Sequence, residues 1–215
     1  FAVGREFPVP SLDFVGLTSD LAQIKTDAQA GGRYMGASNK RGYHIVLKTN
    51  DTYDLYRVDT LVPPPNGCVE VVGQQDWGTW SIATSSGAEV LLGNYGFPGN
   101  GLLFVEDDVW VDGQMQTARL TIAAGRFPEL SSTYADITVN KDILYTAYDG
   151  SETLGLIAQG NINAGLHSED DLRIDAALIA QQGRVGRYYY RSPSSGQQRC
   201  GPYHVRSVIT LYGGI

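Results

Sequence analysis

Along the second half of the chain, short apolar phrases separated by polar or glycine-containing steps return in nearly the same form. The clearest copies are Ile137-Thr138-Val139-Asn140-Lys141-Asp142-Ile143, Leu156-Ile157-Ala158-Gln159-Gly160-Asn161-Ile162 and Leu178-Ile179-Ala180-Gln181-Gln182-Gly183-Arg184-Val185. A weaker copy, Leu120-Thr121-Ile122-Ala123-Ala124-Gly125, precedes them, and Ile209-Thr210-Leu211-Tyr212-Gly213-Gly214-Ile215 follows. With Ile122, Val139, Ala158 and Ala180 taken as equivalent, the repeat is roughly 17 to 22 residues long, the size of one turn of a parallel β-solenoid. Each turn has too little apolar surface to be stable alone, so it must stack on its neighbours around a shared core. Small residues such as Ala123, Ala158, Ala177 and Ala180 among Ile, Leu and Val suit a narrow interior. Gly and Asn between the apolar phrases supply the corners. The pattern predicts a mainly β protein built on a right-handed parallel β-solenoid (β-helix). The alternative is an antiparallel sandwich, against which Asn-Gly and Asp-Gly hairpin turns are few.

The first hundred residues follow other periods. Residues 1–17, with Pro8 and Pro10, read as an extended lead-in. Thr18 is a good N-cap with Asp20 in the first turn, and Leu21, Ile24 and Ala28 share one helical face that ends at Gly31-Gly32. Such a helix is placed to cap the open end of the solenoid. Residues 43–48 and 53–58 flank Thr49-Asn50-Asp51-Thr52 and predict a β-hairpin. Pro63-Pro64-Pro65-Asn66-Gly67 breaks the chain, residues 77–82 and 89–92 read as strands, and Phe97-Pro98-Gly99-Asn100-Gly101 is a turn. The expected organisation is a lead-in and capping helix or stem remnant over 1–40, a small antiparallel region over 41–100 and the solenoid over 101–215.

Composition agrees with a β-rich chain: 26 Gly and 13 Tyr stand against 2 Met in 215 residues. A net charge of −7 excludes generic polyanion binding by the molecule as a whole. No apolar run is long enough to cross a membrane. The chain starts at Phe1 without an initiator Met or signal peptide, as expected of a processed or excised piece of a longer protein. Cys68 and Cys200 are the two cysteines; a disulfide between them would close a long loop. Cys200-Gly-Pro-Tyr-His204 also has a metal-compatible spacing, with no second close pair of ligands to complete it.

Two features carry candidate chemistry. Glu106-Asp107-Asp108 and Glu169-Asp170-Asp171 are the same tripeptide, and stacked corners bearing them would gather oxygens around a cation such as Ca²⁺, the single candidate cofactor. The alternative is a pair of solvated turns. Residues 182–215 contain five arginines (Arg184, Arg187, Arg191, Arg199, Arg206) and no acid, so this tail is +5 and the preceding residues balance it at −12. Within it Arg184, Arg187 and Arg191 interleave with Tyr188, Tyr189 and Tyr190, a combination that holds phosphates and stacks bases or sugar rings. The alternative is that the tyrosines pack between turns while the arginines pair with acids. Paired carboxylates on a β-solenoid invite comparison with pectin-cleaving enzymes, but no Gly-His-Gly or Arg-x-Lys phrase accompanies them, and His44, His167 and His204 are dispersed.

The phrases LFVEDDVWVDG, ARLTIAAGRFP, ITVNKDILYTAYDG, LGLIAQGNI and DDLRIDAALIAQQGRVGRYYYR resemble those of exported bacterial proteins associated with type IV pili. These are PilX-like or prepilin-type proteins, similar in plan to the large minor pilin ComZ, with a β-solenoid on a pilin stem. The resemblance covers roughly residues 40–215. It implies a hydrophobic pilin helix upstream of Phe1, an extracellular, cell-surface location and other pilus subunits as partners; it brings no catalytic residues. Together the readings predict a non-catalytic domain that presents a binding face for adhesion or DNA capture, with DNA, a glycan or a host-surface molecule as ligand. A polysaccharide-cleaving enzyme and a purely structural spacer are the other possibilities.

Overall fold

A computed structural model describes residues 14–68 and 78–215, with side chains from Leu21 onward in the first helix. Its elements are α1 (Phe14–Gly31), β1 (Arg33–Met35), β2 (Gly42–Leu47), β3 (Thr52–Val58), β4 (Glu89–Gly96), β5 (Leu102–Val105), β6 (Val109–Met115) and β7 (Arg119–Ala124). There follow β8 (Ile137–Thr138), β9 (Ile143–Tyr145), β10 (Thr153–Ala158), β11 (Ile162–Ala164), β12 (Asp171–Ala180), β13 (Val185–Arg187) and β14 (Val208–Gly214). The fold is the expected mainly β solenoid. β1, β5, β7, β10 and the end of β12 pair in parallel along one flank. The start of β6, β8, β11 and β13 make a second flank, and the end of β6, β9, the first part of β12 and β14 a third; β2 pairs with Val109–Gly113 of β6 and so runs along both. β6 and β12 each turn from one flank to the next, so the strands are joined in one 14-stranded sheet.

The interior is a set of columns. Leu103, Ile122, Leu156 and Leu178 stand in register, as do Met35, Val105, Ala124, Ala158 and Ala180. The first column shows the true repeat: its members are 19, 34 and 22 residues apart. Ala158 and Ala180 therefore stand two residues away from the Ile122 column, in that of Ala124. Val139 is not the counterpart of Ile122 either, because its phrase belongs to the second flank of a longer coil, where its N–H donates to the Asn163 carbonyl. Ala123 and Ala177 are not interior either. They alternate with the inward residues, so Ala123 is covered by α1 and Ala177 is exposed.

Parallel pairing already begins at Arg33, where β1 registers on β5, and β2 registers on β6 from Tyr43. The predicted hairpin is β2–β3, with Leu47 opposite Tyr53, and β4 extends it antiparallel. No strand forms over 78–82, where Ile82 makes an isolated bridge to Leu61; Trp77 and most of the predicted lead-in lie outside the described residues. The helix starts at Phe14, upstream of Thr18, since residues 14–17 contain no proline to stop it; Thr18 is an interior position and not a cap. It ends as expected, with the Gly32 N–H donating to the Ala28 carbonyl. Nor does it cap an end. Leu21 and Ala28 bury against Phe104 and Ala123 on the outer face of the first flank. Lys25 anchors it there at 2.7 Å from Glu106.

Side chains also stack at the corners. Asp108 Oδ1 accepts the Asp136 N–H at 2.9 Å, Asp136 Oδ1 accepts that of Asn161 at 2.6 Å, and Asn161 Oδ1 accepts that of Arg184 at 3.1 Å. Corner backbone groups have no strand partner, and this Asx ladder satisfies them coil by coil.

Candidate functional site

A cleft of about 620 Å³ lies outside the second and third flanks and is walled by the loop through residues 81–85. Strand alternation builds its floor. On β2, Ile45 and Leu47 face the core, so His44 faces out; on β6, Val109 and Val111 face in, so Trp110 and Asp112 face out. His44 and Trp110 are register partners, which brings Asp112 beside the imidazole, and β4 delivers Glu89 from the other side.

The imidazole is clamped. Nδ1 lies 2.8 Å from Glu89 Oε2 and Nε2 lies 3.0 Å from Asp112 Oδ2, so a doubly protonated ring donates to both carboxylates. Burial works against the charge, but the hydrogen bonds and fields of Asp112 and Glu89 outweigh it and raise the His44 pKa to about 9. The same bond from His44 holds the Glu89 carboxyl below its ordinary range. Lys141 Nζ stands 3.8 Å from Asp112. Two anions and two cations thus share the floor, and Glu89 and Lys141 remain open to solvent.

The cleft wall is fixed by Trp80, whose φ of 44° is in the left-handed region. Its carbonyl accepts the Trp110 indole N–H at 2.9 Å and the Asn140 amide at 2.7 Å. Its ring stacks on Tyr188 with centroids 4.7 Å apart. Trp80 thereby ties the cleft to a small second core of Leu166, Tyr188, Tyr190 and the Cys68–Cys200 disulfide, which the chain does form. At the far rim His167 lies 4.3 Å from the Tyr203 ring. Burial, then the charge of Arg206, lowers the His167 pKa and favours its neutral form.

The predicted Arg/Tyr face is not continuous. Tyr188 and Tyr190 are buried, and only Tyr189 of the three is exposed, at 66%. Arg184 lies over Tyr188, 3.9 Å from the ring centre. Arg187 lies over Tyr190 and donates to the carbonyls of Leu166, Tyr203 and His204. Arg206 donates to the Leu166 carbonyl, and Arg199 to the Gln197 side chain. The Arg191 carbonyl accepts the Cys200 N–H. Arg187, Tyr189, Ser192, His204 and Arg206 line a separate cleft of about 520 Å³.

Nor do the acidic tripeptides stack on one another. Glu106, Asp107 and Asp108 sit at the corner between the first two flanks, where Asp107 takes the Ser38 N–H and hydroxyl at 2.8 and 2.6 Å and Arg126 bridges Asp107 and Asp108. Glu169 and Asp170 sit at the next corner, bound to the Asp142 N–H and the Ser207 hydroxyl, and Asp171 begins β12. Among the described residues no group of three or more potential metal ligands gathers. Cys200 is committed to the disulfide, which removes it as a ligand with His204.

Sequence reasoning missed His44, Glu89 and Asp112 as a unit. The available signal was a histidine at an outward position of a strand otherwise alternating with core residues. No described helix is long and apolar enough to cross a membrane. In comparisons with known proteins, no family model, no curated protein and no solved structure matches this chain.

Proposed function

We propose that this chain is a saccharide-binding β-solenoid that acts by recognition and not by catalysis. The carrying observation is the His44 clamp: Glu89 and Asp112 are fixed as acceptors at the floor of a cleft with Tyr203 and His167 on its rim. Fixed carboxylates accept the hydroxyl protons of a sugar, and an aromatic rim gives its apolar face a platform. Binding is favoured over hydrolysis on chemical grounds. Glycosidic cleavage needs a carboxylic acid that keeps its proton, whereas Glu89 is held ionised by His44 and Asp112 accepts from the same imidazolium. His44 uses both ring nitrogens and has no lone pair to offer as a base.

Rigid stacking would hold the cleft in a constant shape, which suits adhesion. The disulfide suits an oxidising, extracellular setting. Display on a pilus rests solely on the resemblance of the repeated phrases to those of pilus-associated proteins.

Titration calorimetry against a panel of neutral oligosaccharides, with single-stranded DNA beside them, tests the reading. A neutral oligosaccharide is expected to bind, and Glu89→Gln, which retains a hydrogen-bonding side chain, to weaken it about tenfold, the effect of one charge-assisted bond. Binding of DNA alone, or saccharide binding indifferent to Glu89→Gln, would reject it.

A further inference from the structure

The smaller cleft has an electrostatic feature unlike the larger one. No carboxylate of the described residues lies within ion-pairing distance of Arg187, although its guanidinium is part-buried. Its Nη atoms donate to three carbonyls, at 3.1, 3.1 and 2.7 Å, which satisfy hydrogens but cancel no charge. Arg206, with an 11% exposed side chain, lies beside it on the shared Leu166 carbonyl, and its nearest carboxylate, Asp170, is 3.8 Å away and 64% exposed. Three buried nitrogens here, Arg187 Nε, Arg206 Nε and His204 Nδ1, have no partner. Holding like charges together in a part-buried cleft is costly unless a counter-ion arrives. Paired guanidinium groups are the side chains best suited to a carboxylate or sulfate.

The ligand class follows from what lies next door. Tyr203 links the two clefts as a ridge would: its ring lines the larger and lies 5.1 Å from the guanidinium of Arg206, which lines the smaller. One extended ligand crossing that ridge would meet Glu89 and Asp112 on one side and the arginines on the other. A polyanion with a charge every few ångströms, such as DNA, finds no net positive charge in the first half, where two anions and two cations offset one another. A saccharide with uncharged residues and one anionic substituent matches both. Resting on the saccharide reading of the larger cleft, we propose that Arg187, Arg206 and His204 form a subsite for the anionic group of an acidic glycan, a uronate carboxylate or a sulfate ester.

The test compares three trisaccharides of one backbone: one ending in glucuronate, its glucose counterpart and its 6-sulfated counterpart. The glucuronate or sulfate form is expected to bind at least tenfold tighter than the glucose form, with the preference shrinking as salt rises; which of the two wins identifies the anion. Arg206→Gln should remove the preference for the charged forms. Because that variant disturbs packing, the wild-type chain supplies an independent reading: the His204 ring resonances should shift with the charged ligands and not with the neutral one. Equal affinity for charged and neutral forms would overturn the subsite and leave the saccharide reading standing. Failure of all three to bind would remove both.

Discussion

Asp136 and Asn161, on adjacent coils, are joined three times over: one Asp136 carboxylate oxygen takes the Asn161 N–H at 2.6 Å, and the Asn161 amide group reaches both oxygens at 3.3 and 3.4 Å. Asn163 adds a fourth bond at 3.1 Å. Without the carboxylate, buried donors lose their acceptor. Asp136→Ala is expected to destabilise the chain by about 3 kcal/mol, the cost of unsatisfied buried polar groups. Urea unfolding measures this, and a loss under about 1 kcal/mol would show that water replaces the side chain freely.

The His44 clamp makes stability depend on pH. Its folded pKa of about 9 lies above the ordinary 6.5, so the stabilisation is complete below about pH 6.5 and fades as pH rises through 9. The full effect is about 3 kcal/mol, from a rise of roughly two and a half pH units. Urea titrations at pH 6, 7.5 and 9 should show the decline, and His44→Gln should flatten it. A histidine resonance titrating near 6.5 and assigned to His44 would contradict the clamp.

The close approach of β2 to β6 leaves no room for a side chain at Gly113. A Cβ there would overlap the Leu47 carbonyl, and φ is +107°. Gly113→Ala is expected to cost about 2 kcal/mol or more through backbone strain and lost pairing. Thermal unfolding gives the magnitude; unchanged stability would mean that the two strands separate at no cost.

Phe104 is fully buried between α1 and the sheet, with Tyr34 and Phe127 beside it. Phe104→Ala should cost about 3 to 5 kcal/mol. Hydrogen exchange should localise the loss to α1 and β5, leaving β12–β14 protected. Uniform loss of protection would instead make the helix part of one cooperative unit with every coil.

Sequence made the strands legible where they depend on local alternation, as in β2–β3, or on a repeated apolar phrase, although it matched Ile122 with Ala158 and Ala180 where the register sets it in line with Leu156 and Leu178. It misplaced Val139 because an apolar phrase records that a strand faces the core without recording which flank carries it. Helix α1 was found and its job mistaken: the apolar stripe of Leu21, Ile24 and Ala28 specifies that something is covered, and Phe104 and Ala123, far along the chain, decide what. His44 is 45 residues from Glu89 and 68 from Asp112, so only strand register could bring them together. The positive charge of the tail was plain in the sequence, whereas the division between packed and exposed rings was not. Tyr188 and Tyr190 are buried around a disulfide whose pairing composition left open.

Stacked coils ordinarily come apart from a free terminus, each coil holding only its neighbours. Here Cys200, between β13 and β14, is tied to Cys68, which precedes β4 and all later coils. Opening that starts at β14 can run back only as far as Cys200, which stays fixed to a segment that precedes β4 in the chain. Oxidised, the segment around β13 stays tethered when β14 opens; reduced, opening can continue past Cys200 into β13. Exposure to reductant would thus change the route of unfolding as well as its midpoint.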